Sequence, residues 1–244
     1  MTRLRAATIH LSICVLVGAI LLALFWFVWY PYPLFKAVGG QEIFLMLLGI
    51  DVVLGPLLTL IVFKAEKKSL KFDLAVIGAV QIAALAYGVF TLLSGRPVYI
   101  VALGHRFDLI QANEVVDEQL TQVNASLPLW GPIWVGIKPA TDKKERERMM
   151  LSGLAGADYG HYPQYHAPLE SMRDEILANA TPISQLRTKN RSRDADITAW
   201  LSSRGYDDAS AVFQGLKTRS EHMAVILDEK TAKVVGIAPF KPWN

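Results

Sequence analysis

Asp51 is the polar residue with the most unusual setting, because it stands inside the apolar stretch LMLLGIDVVLGPLLTLIVF. A carboxyl group at the centre of a lipid-embedded helix is unfavourable by about 2.5–3.5 kcal/mol on insertion scales, so it should face a partner and not lipid. Pro56 leaves the carbonyl of Val52 without its helical N–H donor, which favours a kink close to Asp51. Gln81 and Tyr87, in a later apolar run, lie at a similar depth and could hydrogen-bond its carboxyl.

Three interpretations of this polar group stay open. The first is structural, with a protonated Asp51 joining the second and third apolar runs. The second is a groove for a helix of another protein, in which Asp51, Pro56, Gln81 and Tyr87 provide shape and polarity. Gly88 adds to it because small residues let helix backbones approach closely. The third is a proton or ion path, which is disfavoured because three spans with one acid make a poor relay.

A second group of polar side chains lies in the segment DYGHYPQYHAPL, which holds His161 and His166 among three tyrosines, Tyr159, Tyr162 and Tyr165. The segment is interpreted as a partner-contact loop, as ordinary loop packing or, least of all, as a metal site, which would need a further ligand on a defined scaffold. HExxH, GxSxG, GxGxxG and P-loop motifs are absent from the sequence. We therefore predict no catalytic, cofactor or metal site.

Three long apolar runs occupy the first part of the 244-residue chain: 22 residues from Ile9 to Tyr30, 21 from Ile43 to Phe63 and 20 from Leu74 to Leu93. At about 1.5 Å per residue each is long enough to cross a hydrocarbon core. The first run follows two arginines but ends in bulky aromatics and not in a small-x-small site, so we expect an uncleaved anchor. Residues 1–96 are predicted to form a bundle of three transmembrane helices.

Charge predicts the direction of the spans. Residues 1–96 hold eight Lys or Arg against four acids, whereas residues 97–244 hold 17 against 18. The basic residues cluster before the first span and between spans two and three, which the positive-inside rule places in the cytoplasm. The remaining 148 residues are then expected in the periplasm of a bacterial inner membrane. The high isoelectric point is no argument for nucleic acid, because the basic excess belongs to the membrane flanks.

Aromatic residues crowd the end of the first run, at Trp26, Trp29, Tyr30 and Tyr32. Trp and Tyr favour the membrane interface because each has an apolar body and a polar tip. We interpret the four as an interfacial belt, with a partner-docking patch as the alternative. The prolines and the glycine pair that follow end the helix and let the chain turn.

Residues 97–244 have the pattern of an α+β domain with a mainly antiparallel sheet. Strands are predicted in VYIVALGHRFDLIQA, which turns near Gly104, in PIWVGIK, and in a final hairpin of HMAVILD and AKVVGIA with its turn at Glu229 and Lys230. Helices are predicted in DEQLTQV, in PLESMRDEILANA, in SRDADITAWLSSRG, and after a Thr141 cap in TDKKERERMMLSGLAG. The only cysteine, Cys14, lies in the first apolar run, so the domain has no disulfide framework.

The chain resembles the type IV pilin accessory proteins of the TfpX/TfpZ kind over nearly its whole length. The resemblance rests on seven segments in order: YPYPLFKAVGG, LLGIDVVLGPLLTLIVF, DLAVIGAVQIAALAYGVF, RPVYIVALGHRFDLIQANEV, the WGP at Trp130, DYGHYPQYHAPL and HMAVILDEKTAKVVGIAPFKPW. Two features depart from the family pattern. VFQGLKTRSEH is less basic than expected, and Ala232 stands where a turn glycine would be natural.

The resemblance implies an inner-membrane protein, without enzymatic activity, that assists assembly or surface levels of a cognate major pilin. The expected partners are the pilin's membrane helix and head domain and the lipid bilayer, with no nucleic acid. Two other classes are weighed against this. A membrane-anchored periplasmic enzyme that modifies pilin or envelope substrates would need converging acid, base or metal ligands. A sensor would need a cytoplasmic output module, and the inner loop has only about ten residues.

Overall fold

The computed structural model describes residues 2–116 and 126–243. The chain divides into two compact units. The span unit comprises residues 1–35 and 39–95, and the sheet unit comprises residues 36–38 and 96–244. The predicted helix in DEQLTQV, residues 117–123, lies outside the described residues.

Three helices of the span unit are long and apolar enough to cross a membrane: Arg3–Trp29, Gly40–Val62 and Leu70–Ser94. The first consists of α1 (Arg3–Leu24) and a π-helical turn (Phe25–Trp29). The second consists of α3 (Gly40–Gly49), a π-helical turn (Ile50–Leu54) and α4 (Gly55–Val62), and the third is α5 (Leu70–Ser94). The short helix α2 (Leu34–Ala37) lies between the first two. Each span is longer than its apolar run because capping and flanking residues also adopt helical geometry.

Local features explain these helix ends. Thr2 caps α1 by accepting a hydrogen bond from the N–H of Arg5, at 3.3 Å. Gly39 precedes α3 with φ +76°, a left-handed conformation that glycine adopts without steric cost. In the second span the π-helical turn lies directly before Pro56, where the chain lacks an N–H donor. The sequence therefore places an irregular turn at Asp51.

The described part of the sheet unit contains eight strands: β1 (Pro97–Ala102), β2 (Phe107–Gln111), β3 (Ile133–Ile137), β4 (His166–Ala167), β5 (Thr181–Pro182), β6 (Ala211–Lys217), β7 (Met223–Asp228) and β8 (Val234–Ala238). They lie in the order β4-β3-β1-β2-β6-β7-β8, with β5 paired to β6. The predictions of β1, β2, β3, β7 and β8 are confirmed. β6, which sequence reasoning missed, joins the two halves of the sheet.

The prediction of a mainly antiparallel sheet is wrong, because the sheet is mixed. β1 pairs with β3 in parallel, and β2 pairs with β6 in parallel. A parallel pair needs a long crossover connection, and the helices between β2 and β6 lie in such a connection. The sequence segments predict strands and helices but not their order in the sheet.

Four α-helices of the sheet unit are described: α6 (Lys143–Leu154), α7 (Arg173–Ala178), α8 (Ile183–Lys189) and α9 (Asp194–Ser202). The cap of α6 is Asp142 and not Thr141, since Asp142 Oδ2 accepts from the N–H of Glu145 at 3.0 Å. Helices α8 and α9 bury Leu186 and Leu201 in one core with Phe213 of β6 and Ile226 of β7. A second core packs around β1 and β2, from Val98 to Ile110.

The final hairpin turns at a strained residue. Ala232 has φ +58°, a conformation that favours glycine, as the family pattern led us to expect. Asp228 holds this turn, because its Oδ1 accepts from the N–H groups of Lys230 and Thr231 at 3.1 and 2.8 Å. The hydroxyl of Thr231 donates to the same oxygen at 2.7 Å. These three bonds stabilise a turn that the side chain of Ala232 disfavours.

Residues 36–38 belong to the sheet unit although they stand between the first two spans. The carbonyl of Ala37 accepts hydrogen bonds from the N–H groups of Ser220 and Glu221, at 3.0 and 3.2 Å. Lys36 Nζ lies 3.0 Å from Glu221 Oε1. This ion pair is exposed, so the two backbone hydrogen bonds hold the segment more firmly than the charges do.

Candidate functional site

The span unit contains a half-open groove with a volume of about 280 Å³, lined by residues of all three spans. Its lining residues are His10, Ile13, Cys14, Val17, Gly18, Leu21, Phe44, Leu47, Leu48, Asp51, Gly78, Gln81, Ile82 and Leu85. The wall is almost wholly apolar, with a few polar side chains on it. We call this cavity the span groove.

Asp51 and Gln81 are the polar pair predicted from the sequence, and both line the span groove. Asp51 is 8% exposed and lies in the π-helical turn of the second span. The amide of Gln81 donates to the backbone carbonyl of Asp51 at 3.3 Å, and its nitrogen lies 3.9 Å from the Cys14 sulfur. Asp51 Oδ1 and Gln81 Oε1 are buried without a hydrogen-bond partner among the described residues.

Glycines allow the spans to pack around this pair. A Cβ on Gly55 would lie 2.0 Å from Gln81 Nε2, so the amide fits only because Gly55 has no side chain. Gly88 packs against Leu47, whose Cδ1 would be 2.7 Å from an added Cβ, and Gly18 packs against Leu48 in the same way. Close approach at small residues is the usual way in which membrane helices associate.

Three of the residues predicted for this groove lie outside its lining. Tyr87 is 73% exposed on the outer side of the third span. Gly88 makes a helix contact and Pro56 is buried next to the π-helical turn. Tyr87 follows Gln81 by six residues, so at about 100° per residue the two side chains point about 120° apart.

Sequence reasoning missed two polar groups of the span groove, His10 and Cys14. His10 Nδ1 lies 2.6 Å from the hydroxyl of Thr59, which links the first span to the second. His10, Cys14 and Gly18 follow one another at intervals of four residues and so share one helix face. That periodicity is the signal that could have found them.

The four predicted belt residues have different surroundings. Trp26 and Tyr32 are exposed, as an interfacial belt requires. Trp29 is half-buried and packs on Phe25 with a centroid distance of 5.3 Å. Tyr30 is only 1% exposed, and its hydroxyl donates to the carbonyl of Leu92 in the third span. Tyr30 thus joins two helices inside the span unit.

In the sheet unit, the candidate partner loop Tyr159–His166 begins with a compact charged turn. Asp158 Oδ1 accepts from the N–H of Gly160 at 3.0 Å and from His161 Nδ1 at 3.1 Å. Burial alone would lower the pKa of His161, but the hydrogen bond and charge of Asp158 outweigh it, so the pKa is raised above 6.5. Burial would raise the pKa of Asp158, but His161, the Gly160 N–H and Arg106 lower it below 3.8.

The tyrosines of this loop pack against α6. Tyr165 is buried, and its hydroxyl donates to Glu145 Oε1 at 2.5 Å. The hydroxyl of Tyr162 lies 2.6 Å from Ser152 Oγ, and Tyr159 packs edge-on against Tyr165. The tyrosine side chains therefore fix the loop on the helix.

His166 packs differently from His161. Its ring lies edge-on to Tyr99, with the centroids 4.6 Å apart, and its Nε2 lies 2.9 Å from the carbonyl of Gly160. Burial lowers the pKa of His166 below 6.5, and the hydrogen bond to Gly160 opposes this only in part. Among residues 2–116 and 126–243, no group of three or more His, Cys, Asp or Glu side chains is arranged to hold a metal ion.

Large apolar side chains are exposed at two places on the described part of the sheet unit. One is the segment before and at the start of β3, with Leu129, Trp130 and Ile133. The other is the C-terminal half of α6, with Met150, Leu151 and Leu154, of which Leu154 is 81% exposed. The candidate partner loop Tyr159–His166 holds this end of α6. The composition of KKERERMMLSGL did not predict that the end of the helix exposes apolar side chains.

Three apolar helices with a groove between them, followed by a mixed-sheet domain, define a multi-span membrane protein. The family model described as fimbrial assembly protein FimB matches residues 1–39. Two fimbrial assembly proteins of Dichelobacter nodosus, of serogroups I and E1, are each 28% identical to the chain over 232 residues, which is 92% of this chain and 90% of theirs. The fimbrial assembly protein of its serogroups C1 and C2 is 34% identical over 120 residues, 48% of this chain and 92% of that protein.

The chain therefore belongs to the fimbrial assembly proteins, a family of type IV pilus accessory proteins. No solved structure matches it. The similarity extends over both the span unit and most of the sheet unit, since two relatives are matched over 92% of the chain.

Proposed function

We propose that this protein is a non-catalytic accessory factor of the bacterial inner membrane. In this proposal it assists assembly of a cognate type IV major pilin and so sets how much pilus reaches the surface. The names of its relatives support a role in pilus assembly. The observation that carries the proposal further is the span groove, because a membrane protein waiting for assembly presents an apolar helix that such a groove can receive.

In the proposed orientation the N-terminus lies in the cytoplasm and the sheet unit in the periplasm. Arg3, Arg5 and the lysines of residues 64–71 support this, since basic residues favour the cytoplasmic side. Residues 36–38, in the connection between spans one and two, belong to the sheet unit, which supports a periplasmic position for both in this proposal. That connection holds a single lysine, Lys36, which agrees with a periplasmic position.

We place the pilin's membrane helix in the span groove. Packing in lipid relies on close contact and hydrogen bonds, because apolar helices gain little by leaving apolar lipid. A groove with an apolar wall and a glycine at Gly78 provides such contact. The size of about 280 Å³ fits side chains of one helix face, so the rest of that helix would stay in lipid.

A second contact is proposed between the sheet unit and the pilin head domain. The exposed apolar residues Met150, Leu151 and Leu154 at the end of α6 support this surface. The candidate partner loop Tyr159–His166 then acts mainly by holding α6 in place. Two weak contacts on one chain strengthen each other through effective concentration.

Deletion of the gene tests the assembly role when total pilin and surface pili are measured separately. Normal pilin with few pili would indicate assembly, and lost pilin would indicate protection of the subunit. Unchanged pilin together with unchanged pili would contradict the proposal.

Gly78→Leu tests the groove. A Cβ on Gly78 meets no atom within 4 Å, so a side chain can begin there, and leucine is expected to extend into the groove that Gly78 lines. We expect pilin co-purification to fall by about tenfold, which corresponds to about 1.4 kcal/mol of binding free energy. Gly49→Leu is the matched control, because Gly49 is equally open but lies outside the groove lining. Equal recovery from both variants would exclude the groove as the pilin site.

A further inference from the structure

Two hydrogen-bond acceptors of the span groove are left unused by the protein. Asp51 Oδ1 and Gln81 Oε1 are both buried, and neither has a donor among the described residues. Both side chains line the groove. The carboxyl and amide planes turn about broad terminal torsions, so their orientation can adjust to a donor in the groove.

A purely structural role would leave two buried oxygens of this arrangement unused, Asp51 Oδ1 and Gln81 Oε1. If Asp51 existed to join the spans, its carboxyl would be satisfied by them, as buried polar groups normally are. Instead the Gln81 amide N–H donates to the backbone carbonyl of Asp51, at 3.3 Å, and Asp51 Oδ1 and Gln81 Oε1 have no partner among the described residues. An unmet buried acceptor destabilises the protein until a donor arrives.

The depth of the pair restricts what that donor can be. Asp51 is the twelfth of the 23 residues from Gly40 to Val62, so it lies about 17 Å from either end of the span. Lipid headgroups do not reach that depth, and acyl chains carry no donor. A side chain on another membrane helix can bring one there.

We infer that the span groove recognises a membrane helix that carries a hydrogen-bond donor at the depth of Asp51. The donor is a hydroxyl, amide or amine side chain on an otherwise apolar face, and it binds to the oxygens of Asp51 and Gln81. This rests on the proposed function, in which that helix belongs to the major pilin. The apolar groove wall provides packing, and the two oxygens select the register of the helix, because a helix shifted by one turn would place its donor about 5.4 Å away.

The test compares Asp51→Leu with Asp51→Asn in the full-length protein, co-expressed with the major pilin and purified in mild detergent. Leucine removes both oxygens and keeps the branch at Cγ, whereas asparagine keeps one acceptor. We expect pilin recovery to fall about three- to tenfold with leucine, in the range of hydrogen bonds between membrane helices, and to stay largely intact with asparagine. Tyr87→Phe is the control, because it removes a polar group from the exposed side of the third span.

Thermal unfolding of the same variants separates recognition from structure. If the oxygens await a partner, Asp51→Leu leaves the melting temperature of the protein without pilin unchanged or raises it, because it removes an unmet polar group. A clear drop in melting temperature would mean that Asp51 holds the spans together, and it would overturn the inference.

Substitutions in the pilin complete the test. Replacing each polar side chain of its membrane helix by an apolar one should reveal one position that weakens recovery with the wild-type protein but not with Asp51→Leu. If Asp51→Leu retains full recovery while Gly78→Leu loses it, the groove binds by packing alone. The donor inference then fails although the proposed function stands. If neither variant changes recovery, both fail.

Discussion

Two buried aspartates, one in each unit, have opposite surroundings. Asp108 in β2 is 3% exposed, and Arg106 donates to both its carboxylate oxygens, at 2.6 and 3.2 Å. Lys217 Nζ lies 3.9 Å from Asp108 as well. Asp51 in the second span is 8% exposed, and its Oδ1 has no partner among the described residues.

The different surroundings of Asp108 and Asp51 indicate different roles for the two acids. The sheet unit pairs Asp108 with cations from its own chain, so this acid contributes to folding. The sheet unit also contains a buried polar atom without a partner among the described residues, Gln214 Oε1. The amide nitrogen of the same side chain, however, donates to the carbonyls of Gly104 and Ile176 at 2.7 and 2.9 Å. The span unit leaves Asp51 Oδ1 and the neighbouring Gln81 Oε1 without a partner among the described residues, and both side chains line a groove. In the recognition proposed above, these two oxygens are available to a partner helix.

The largest expected effect is loss of stability when Asp108 is removed. Asp108→Ala leaves Arg106 without its main partner in a largely buried place, so we expect the free energy of unfolding of the sheet unit to fall by about 3 kcal/mol. Asp51→Leu should leave the stability of the span unit unchanged. Denaturant unfolding of the full-length protein in detergent, followed by tryptophan fluorescence, measures the first change.

The double variant Arg106→Met with Asp108→Leu is the control for that prediction, because removing both charges should recover much of the loss. If Asp108→Ala proves harmless, the contrast between the two aspartates disappears.

Glycine-to-alanine changes at Gly215 and at Gly78 should have opposite signs. An added Cβ on Gly215 of β6 would lie 1.5 Å from Trp243 Cζ3, so Gly215→Ala must displace that ring and should destabilise the sheet unit by about 1–3 kcal/mol. Gly78 of the third span is open, and Gly78→Ala should stabilise its helix by up to about 1 kcal/mol. Melting temperatures of the two variants check both signs, and a loss at Gly78 would mean that the groove is narrower than described.

The smallest expected effect is on the pH dependence of stability that two histidines of the sheet unit cause. The pKa of His161 is raised above 6.5, so the folded protein binds more protons there than the unfolded chain, and this contribution to stability is lost as pH rises through the folded pKa. The pKa of His166 is lowered, so its contribution is lost as pH falls towards and below 6.5.

Unfolding curves measured between about pH 5.5 and 8 separate the contributions of the two histidines to stability. This range extends about one unit or more to each side of the ordinary histidine pKa. His161→Gln should make stability fall more steeply on acidification, and His166→Gln should make it fall less steeply. The same slope in both variants would contradict the assigned hydrogen bond between His161 and Asp158.

The spans could be predicted from the sequence because length and apolarity are local properties. Strands β1, β2, β7 and β8 were equally accessible, since each is a short apolar segment next to a turn. Strand β6 could not be predicted in this way, because Gln214 and Gly215 interrupt its apolar run. Both residues make contacts with distant parts of the chain: the Gln214 amide donates to distant carbonyls, and Gly215 leaves room for Trp243. Parallel pairing is likewise a property of distant segments.

The candidate site was predicted in part. Asp51 and Gln81 were found because polar residues in apolar runs are conspicuous. His10 was not predicted, although it lines the groove on the helix face that it shares with Cys14. Tyr30 was assigned to the interfacial belt by composition, whereas its hydroxyl bonds to Leu92 inside the span unit. Depth and composition do not tell which way a helical side chain points.

The position of residues 36–38 has a practical consequence for producing the sheet unit as a soluble fragment. A fragment that begins at Arg96 would lack the carbonyl of Ala37, and the N–H groups of Ser220 and Glu221 would lose their acceptor. It would also lack the ammonium group of Lys36 beside Glu221. A crystallisation or binding fragment should therefore carry this short upstream piece on a flexible linker, because the boundary of the folded unit is not a single cut in the chain.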